Sequence, residues 1–153
     1  MQTLDEYDKK LLQLLQVNNR MSAQELGDAI NLSASAVQRR LAKLREDKII
    51  EADVSIISPI IFGYTITCVV DIILEVGNSA ATENFKESMR KCNEVIHCYF
   101  VTGTYDFVII VHAKDMQHFE LFAKEKLMDN ANVKHFYTHV VMDKVKVGYN
   151  LAI

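Results

Sequence analysis

The spacing of apolar residues changes once along this chain, and that change limits the folds open to it. Up to about residue 50 they recur at intervals of three and four, the repeat that gathers side chains onto one face of a helix. Beyond Tyr64 the pattern becomes mainly extended, with β-branched and aromatic runs separated by two amphipathic stretches. Two halves of different type are therefore expected, 1–58 and 65–153, joined by a linker over 59–64 that Pro59 and Gly63 mark. With 153 residues, half of them apolar and 24% charged, the chain can bury one substantial core or two small ones.

In the first half, Asp5 and Asp8 precede Leu11, Leu12, Leu14 and Leu15 at helical spacing, which predicts a helix from about Asp5 to Val17. Ser22 and Glu25 form a Ser-x-x-Glu capping box that opens a second helix through Ile30. Asn31 stands where the chain must turn sharply, and asparagine tolerates the left-handed conformation. Ser33 is placed to cap a third helix. There Val37, Leu41 and Leu44 fall on one face, while Ser35, Arg39, Ala42 and Lys43 fall opposite with Gln38 at the flank. Arg40 lies beside the apolar stripe and is expected to pair with an acid inside the domain. The β-branched run Glu51 to Ile57 reads as a strand.

The second half reads as strand 65–76, helix 80–92, strand 95–101, strand 106–113, helix 116–128 and strand 133–147, with Thr102-Gly103-Thr104 as the turn between the second and third strands. This β-α-β-β-α-β order is that of ferredoxin-like domains. Both helices of such a fold cover one face of the sheet, so a monomer needs its other face polar. Here Val95, Tyr99 and Val101 alternate with Ile96, Cys98 and Phe100, and Phe107, Ile109 and Val111 alternate with Val108 and Ile110. A sheet apolar on both faces needs a second cover, and a homodimer supplies it. His112, His118 and His139 are expected in or beside the packing of sheet and helices.

Several functional classes are excluded. No apolar run approaches the roughly 20 residues that span a bilayer, and Asp5, Glu6 and Asp8 stand where a secretory leader carries bare positive charge, so a cytoplasmic protein is expected. Three cysteines without Cys-x-x-Cys spacing support neither a disulfide framework nor a zinc ribbon. His97 and Cys98 are neighbours in a strand and point to opposite faces, which argues against a metal site; no metal or cofactor is expected. His97 and Tyr99 offer no paired acid and base, so catalysis is not expected.

The net charge of −3 argues against a basic coat for nucleic acid, yet Arg39, Arg40, Lys43, Arg45 and Lys48 between Ser33 and Lys48 face only Glu46 and Asp47. A short turn followed by a rigid helix that begins with small residues and carries donors is what entry into a DNA major groove requires. Ala34, Ser35 and Ala36 are small; Gln38, Arg39 and Lys43 are donors. Pattern alone leaves open a plain three-helix bundle with a solvated basic face, or a purely oligomeric sensing module.

The runs Leu4-Asp5-x-x-Asp8, Leu11-Leu12, Asn19-Arg20-Met21-Ser22, Glu25-Leu26, and Leu32-Ser33 through Val37, Arg40, Leu41 and Leu44 to Ile49-Ile50 resemble the N-terminal half of the Lrp/AsnC (leucine-responsive/asparagine-responsive) regulators. Thr102-Gly103-Thr104-Tyr105-Asp106 and Val140-Val141-Met142-Asp143-Lys144-Val145-Lys146 are similar to the C-terminal signatures of that family. The chain departs from the family where Asn31 and Lys48 replace common glycines and where Ala34 and Ala36 replace common prolines; either Lys48 accepts a left-handed conformation at about 1 kcal/mol or the helix ends differently.

The resemblance implies an α+β protein, a winged-type helix-turn-helix domain followed by a ferredoxin-like βαββαβ sandwich, acting as a nucleoid-associated regulator that binds double-stranded DNA. Ser33, Ser35, Gln38, Arg39 and Lys43 are the expected DNA contacts. It further implies an amino-acid effector bound near the glycine turn, by Thr102, Gly103, Thr104, Tyr105 and Asp106 with Thr138 from the last strand, and dimers assembled into an octamer. A glycine turn lets backbone N–H groups converge on a carboxylate, and Asp106 is suited to accept from an α-ammonium. The competing reading of that turn is a plain hairpin in which Gly103 supplies positive φ. A ligand-independent or architectural DNA-binding protein of the same family is the alternative to a sensor.

Overall fold

The computed structural model describes residues 3–75 and 79–153. The chain divides into two compact units, residues 1–56 with 146–153, and residues 57–145.

The first unit holds three helices: α1 (Glu6–Val17), α2 (Ala23–Ile30) and α3 (Ala34–Glu46). Each is capped from its own sequence. Asp5 accepts from the Asp8 N–H and Asp8 reaches back to the Asp5 N–H; Ser22 and Glu25 do the same for α2; Ser33 accepts from the Ala36 N–H. Leu11 and Leu12 from α1, Leu26 and Ile30 from α2, and Val37, Leu41 and Leu44 from α3 form the core. At roughly 2 kcal/mol for each buried aliphatic side chain, this stripe is the main force that holds α3 on the bundle.

The turn between α2 and α3 depends on two residues. Asn31 is left-handed at φ 59°, as its position suggested, and the Leu32 N–H closes on the Gly27 carbonyl at 2.9 Å. A Cβ on Gly27 would lie 2.3 Å from the Leu32 carbonyl oxygen, so no side chain fits there without moving backbone. Lys48 also adopts positive φ, 54°, where the helical segment ends and the Ile49 and Ile50 N–H groups turn back to the Leu44 carbonyl.

The expected strand over 51–57 does not form. Residues 51–58 run without a ladder, and Val54 and Ile56 are exposed, because the described residues offer no strand to pair with them. The final residues, read from sequence as part of the second half, pack with the helices instead: Gln16 Oε1 accepts from the Leu151 N–H, its Nε2 donates to the Leu151 carbonyl, and Gln13 donates to the Ile153 carbonyl.

The second unit opens with a single 3₁₀ turn (Pro59–Phe62) that ends on left-handed Gly63. It continues as β1 (Ile66–Leu74), α4 (Ser79–Arg90), β2 (Val95–Phe100), β3 (Phe107–Ala113), α5 (Met116–Ala123), which widens into a π turn over Lys124–Met128, and β4 (Val133–Val140). The strands form one antiparallel sheet in the order β2-β3-β1-β4, the expected ferredoxin-like arrangement. Val76, the expected end of the first strand, lies outside the described residues. The last strand is shorter than the 133–147 predicted: its ladder to β1 closes where the Val141 N–H bonds the Thr67 carbonyl, and the chain then leaves the sheet.

Residue parity sorts the two faces. Cys68, Val70, Ile72 and Leu74 of β1 and Phe107, Ile109, Val111 and Ala113 of β3 are buried beneath Phe85 and Met89 of α4 and Phe119, Phe122 and Leu127 from the α5 segment. The other face carries Val69, Asp71, Ile73, Val108, Ile110 and His112, all half-buried, with Tyr99 at one edge and Tyr137 and His139 at the other. The register of β2 shifts between Val95 and His97, which returns Val95 to the core face where simple alternation would turn it away. Replacing Gly27 by Ala should lower stability by about 1–3 kcal/mol through that backbone clash, measured as a fall in melting temperature; an unchanged value would show that the turn relaxes freely.

Candidate nucleic-acid interface and effector turn

On α3 the side opposite the core exposes Ser35, Gln38, Arg39, Ala42, Lys43 and Glu46, residues spaced three and four apart in one continuous stripe. Four of the five expected DNA contacts lie on it. Ser33 precedes it: its hydroxyl caps the helix and lies 3.2 Å from the Ser35 hydroxyl.

The five cations of this segment are not equivalent. One terminal nitrogen of Arg40, Nη1, donates to Asp5 and Asp8, each at 2.8 Å, and the guanidinium lies over the Tyr7 ring at 5.4 Å, so it clasps α3 to the start of α1. The expectation that Arg40 pairs inside the domain is met. Arg45 donates to both carboxylate oxygens of Asp53 at 2.8 and 3.4 Å, which ties the segment after α3 back to the helix. Among the described residues no ion pair engages Arg39, Lys43 or Lys48. The charge left for a polyanion on the exposed stripe is therefore that of Arg39 and Lys43.

Partly exposed ion pairs contribute about 0–1 kcal/mol, well below the buried stripe, so the Arg40 clasp orients α3 more than it stabilises the fold. The Asp8 N–H above all, and Arg40 with it, hold the Asp5 carboxyl below the usual carboxylate range. A carboxyl depressed in the folded state contributes stability above its unfolded value and loses it only as pH falls through the lower folded one, so the clasp is intact at neutral pH.

In the second unit Thr102, Gly103, Thr104, Tyr105 and Asp106 form one turn between β2 and β3, closed by the Val101 N–H on the Asp106 carbonyl at 2.9 Å. Gly103 has φ +118°, which a side chain would strain, and Thr102, Gly103 and Thr104 are exposed. Tyr105 packs edge-on against Tyr137, ring centres 5.8 Å apart. Thr138 follows Tyr137 on β4 and so lies on the other face, opposite Val70 and shared with Phe136. Within one chain the structure thus gathers 102–106 and turns Thr138 away from the Tyr105–Tyr137 pair.

Asp106 has a structural partner that sequence reading missed. Its carboxylate accepts the Leu74 N–H at 2.8 Å and its own N–H donates to Ile72 at 2.9 Å, so it pins the turn to the end of β1. Among the described residues one oxygen is engaged in this way, which leaves acceptor capacity on the other. Lys86 of α4 over the Phe100 ring, 4.8 Å from its centre, is a second contact without a sequence signal, since its partners are 14 positions apart. Asp106→Ala should cost about 1–3 kcal/mol in stability by leaving a part-buried N–H unsatisfied, while Asp106→Asn retains an acceptor; equal melting temperatures for the wild type and the alanine variant would remove this role.

Residues 4–45 match the model of the AsnC-type helix-turn-helix domain, and residues 67–151 match that of the Lrp/AsnC ligand binding domain. An uncharacterised HTH-type transcriptional regulator of Sinorhizobium fredii is 44% identical over 150 residues, 98% of this chain and 89% of the relative. The leucine-responsive regulatory protein of Escherichia coli is 27% identical, over 98% and 92% of the two chains. A transcriptional regulator of Neisseria meningitidis, solved as a complex with L-Met, superposes with a TM-score of 0.93 at 29% identity, covering 98% of this chain and 97% of that one. The helix-turn-helix with its exposed stripe, the sheet with its glycine turn, and these matches in the same order lead to one conclusion: the chain belongs to the Lrp/AsnC family of DNA-binding transcription regulators and is not an enzyme.

Proposed function

We propose that this regulator reads DNA with the exposed stripe of α3 and that its assembly or DNA affinity responds to an amino acid bound at the turn 102–106. The observation that carries the first half is the division of labour among the cations: Arg40 and Arg45 are held inside the unit, and Arg39 and Lys43 are presented. Ser35 and Gln38 lie nearest the start of the helix, the part that approaches base edges in this motif, and Gln38 has the paired donor and acceptor that match adenine. Arg39 offers a planar fork suited to guanine or phosphate; Lys43, a turn further on, offers a point charge suited to phosphate. Ser33 orders the helix start by capping it, and its hydroxyl lies beside that of Ser35.

The effector reading rests on the turn and on likeness. Gly103 permits backbone N–H groups to converge on a carboxylate, Asp106 retains an acceptor for an ammonium, and the Neisseria regulator was solved with L-Met. Thr102 and Thr104 add exposed hydroxyls, and Tyr105 an aromatic edge. Thr138, which lies on the opposite face from Tyr137, is the weaker candidate for this site. The half-buried Val69, Ile73, Val108 and Ile110 on the open face of the sheet support a homodimer that covers them, and an octamer of four such dimers is the family arrangement adopted with it.

Arg39→Ala should weaken binding to a preferred duplex by about tenfold or more and relax its base preference, and Lys43→Ala should weaken binding to all duplexes alike and flatten the salt dependence; fluorescence anisotropy at several salt concentrations measures both, and unchanged affinity for both variants removes the stripe from the interface. The purified protein should sediment as a dimer or a multiple of it at micromolar concentration, and millimolar L-Met or another amino acid should raise its melting temperature by mass action. A monomer would overturn the assembly, and no shift with any of the twenty amino acids would leave the ligand-independent regulator as the reading.

A further inference from the structure

Glu46 is an unusual residue for the place it occupies. It ends α3, where the helix dipole disfavours negative charge, and neither Lys43 three residues before it nor any other described cation pairs with it. It is exposed, and at 100° per residue it falls about 20° from Ser35, between Ser35 and Arg39 and in the middle of the stripe offered to DNA. Nothing in its surroundings gives it a role in stability.

Its distance along the helix defines what it would meet. At 1.5 Å per residue Glu46 lies about 12 Å beyond Gln38 and about 16 Å beyond Ser35. The major groove is about 12 Å wide, so a helix whose first turns reach base edges brings its last turn out to the phosphates that border the groove. A carboxylate there faces like charge, and one Lys43 lies about 4.5 Å before it on the same stripe. The attractive and repulsive groups thus occupy successive positions along the path of the helix.

We infer that Glu46 is an affinity-limiting residue: it opposes phosphate contact by the end of the recognition helix, and so lowers affinity for DNA of any sequence while leaving base reading at the start of the helix to carry discrimination. The inference rests on α3 being the reading helix. Discrimination between partners is a difference of affinities, so a repulsion felt by all duplexes alike leaves that difference as the base contacts set it, and weakens binding until those contacts are needed to hold the helix on DNA. Glutamate can also accept from cytosine N4, which would make Glu46 a base reader with the opposite signature.

The test compares Glu46→Gln and Arg39→Ala with the full-length wild type on a mixed-sequence duplex and on a preferred duplex selected from a random pool, by anisotropy from about 50 to 200 mM salt, the range over which phosphate contacts change affinity most visibly. Glu46→Gln should tighten mixed-sequence binding by about threefold to tenfold, the size expected for removing one charge near a phosphate, and should steepen the salt dependence. Its preferred-to-mixed affinity ratio should stay level. Unchanged mixed-sequence affinity in Glu46→Gln, with Arg39→Ala still weakened, overturns the role of Glu46 alone. Weaker binding of Glu46→Gln to the preferred duplex only would overturn it in favour of base reading. No effect of either substitution overturns both this inference and the assignment of α3. Both variants are surface changes outside the core, and their melting temperatures verify folding.

Discussion

Burial of Val37, Leu41 and Leu44 against α1 and α2 fixes which side of α3 faces outward, and the remaining features of the first unit follow from that constraint. With one face committed to a core that no polar side chain can enter cheaply, the opposite face is open to a partner. Caps at Asp5, Ser22 and Ser33 set where each helix starts, and Gly27 and Asn31 let the chain double back between α2 and α3 within a few residues. The Arg40 clasp then sets the angle at which α3 leaves its neighbours. Electrostatics refines what hydrophobic packing has already decided.

The second unit solves a different problem with the same economy. Strict alternation in β1 and β3 gives a sheet with one face sealed by α4 and α5 and a second face of mixed character, where Val69, Val108 and Ile110 sit among His112, Asp71 and His139. Asp71 and His139 are 3.0 Å apart on that face, so these two polar groups are partners within it. The turn that carries Gly103 is anchored by Asp106 to β1, so movement of the turn would be felt at Ile72 and Leu74. That mechanical link between a proposed ligand site and the sheet is a route by which a small molecule can influence assembly.

Much of this was legible in the sequence because local rules agreed with one another. The capping boxes, the three-four spacing of the leucines and the left-handed asparagine identify the helix-turn-helix, and the β-α-β-β-α-β order identifies the second fold. Of the two helix endings open to it, Lys48 takes the left-handed one, although it is not a glycine. The parts that escaped depend on partners far apart in sequence. The segment 51–58 has strand-like composition yet lacks a ladder, because a strand exists only where another strand accepts its hydrogen bonds. The register shift in β2, the Leu74 partner of Asp106, and the packing of residues 146–153 with α1 are likewise decided by long-range contacts. Which of the five cations near α3 would be spent internally was readable for Arg40, from its angle, but not for Arg45, whose acceptor lies on an irregular segment.

The most direct test is a nuclear magnetic resonance titration of the isotope-labelled full-length protein with a mixed-sequence duplex at low salt. Perturbed resonances should cluster on Ser35, Gln38, Arg39, Ala42 and Lys43, with the Arg40 guanidinium unperturbed because Asp5 and Asp8 retain it. Perturbation centred instead on another face of the first unit, or displacement of Arg40 from its carboxylates on binding, would contradict it.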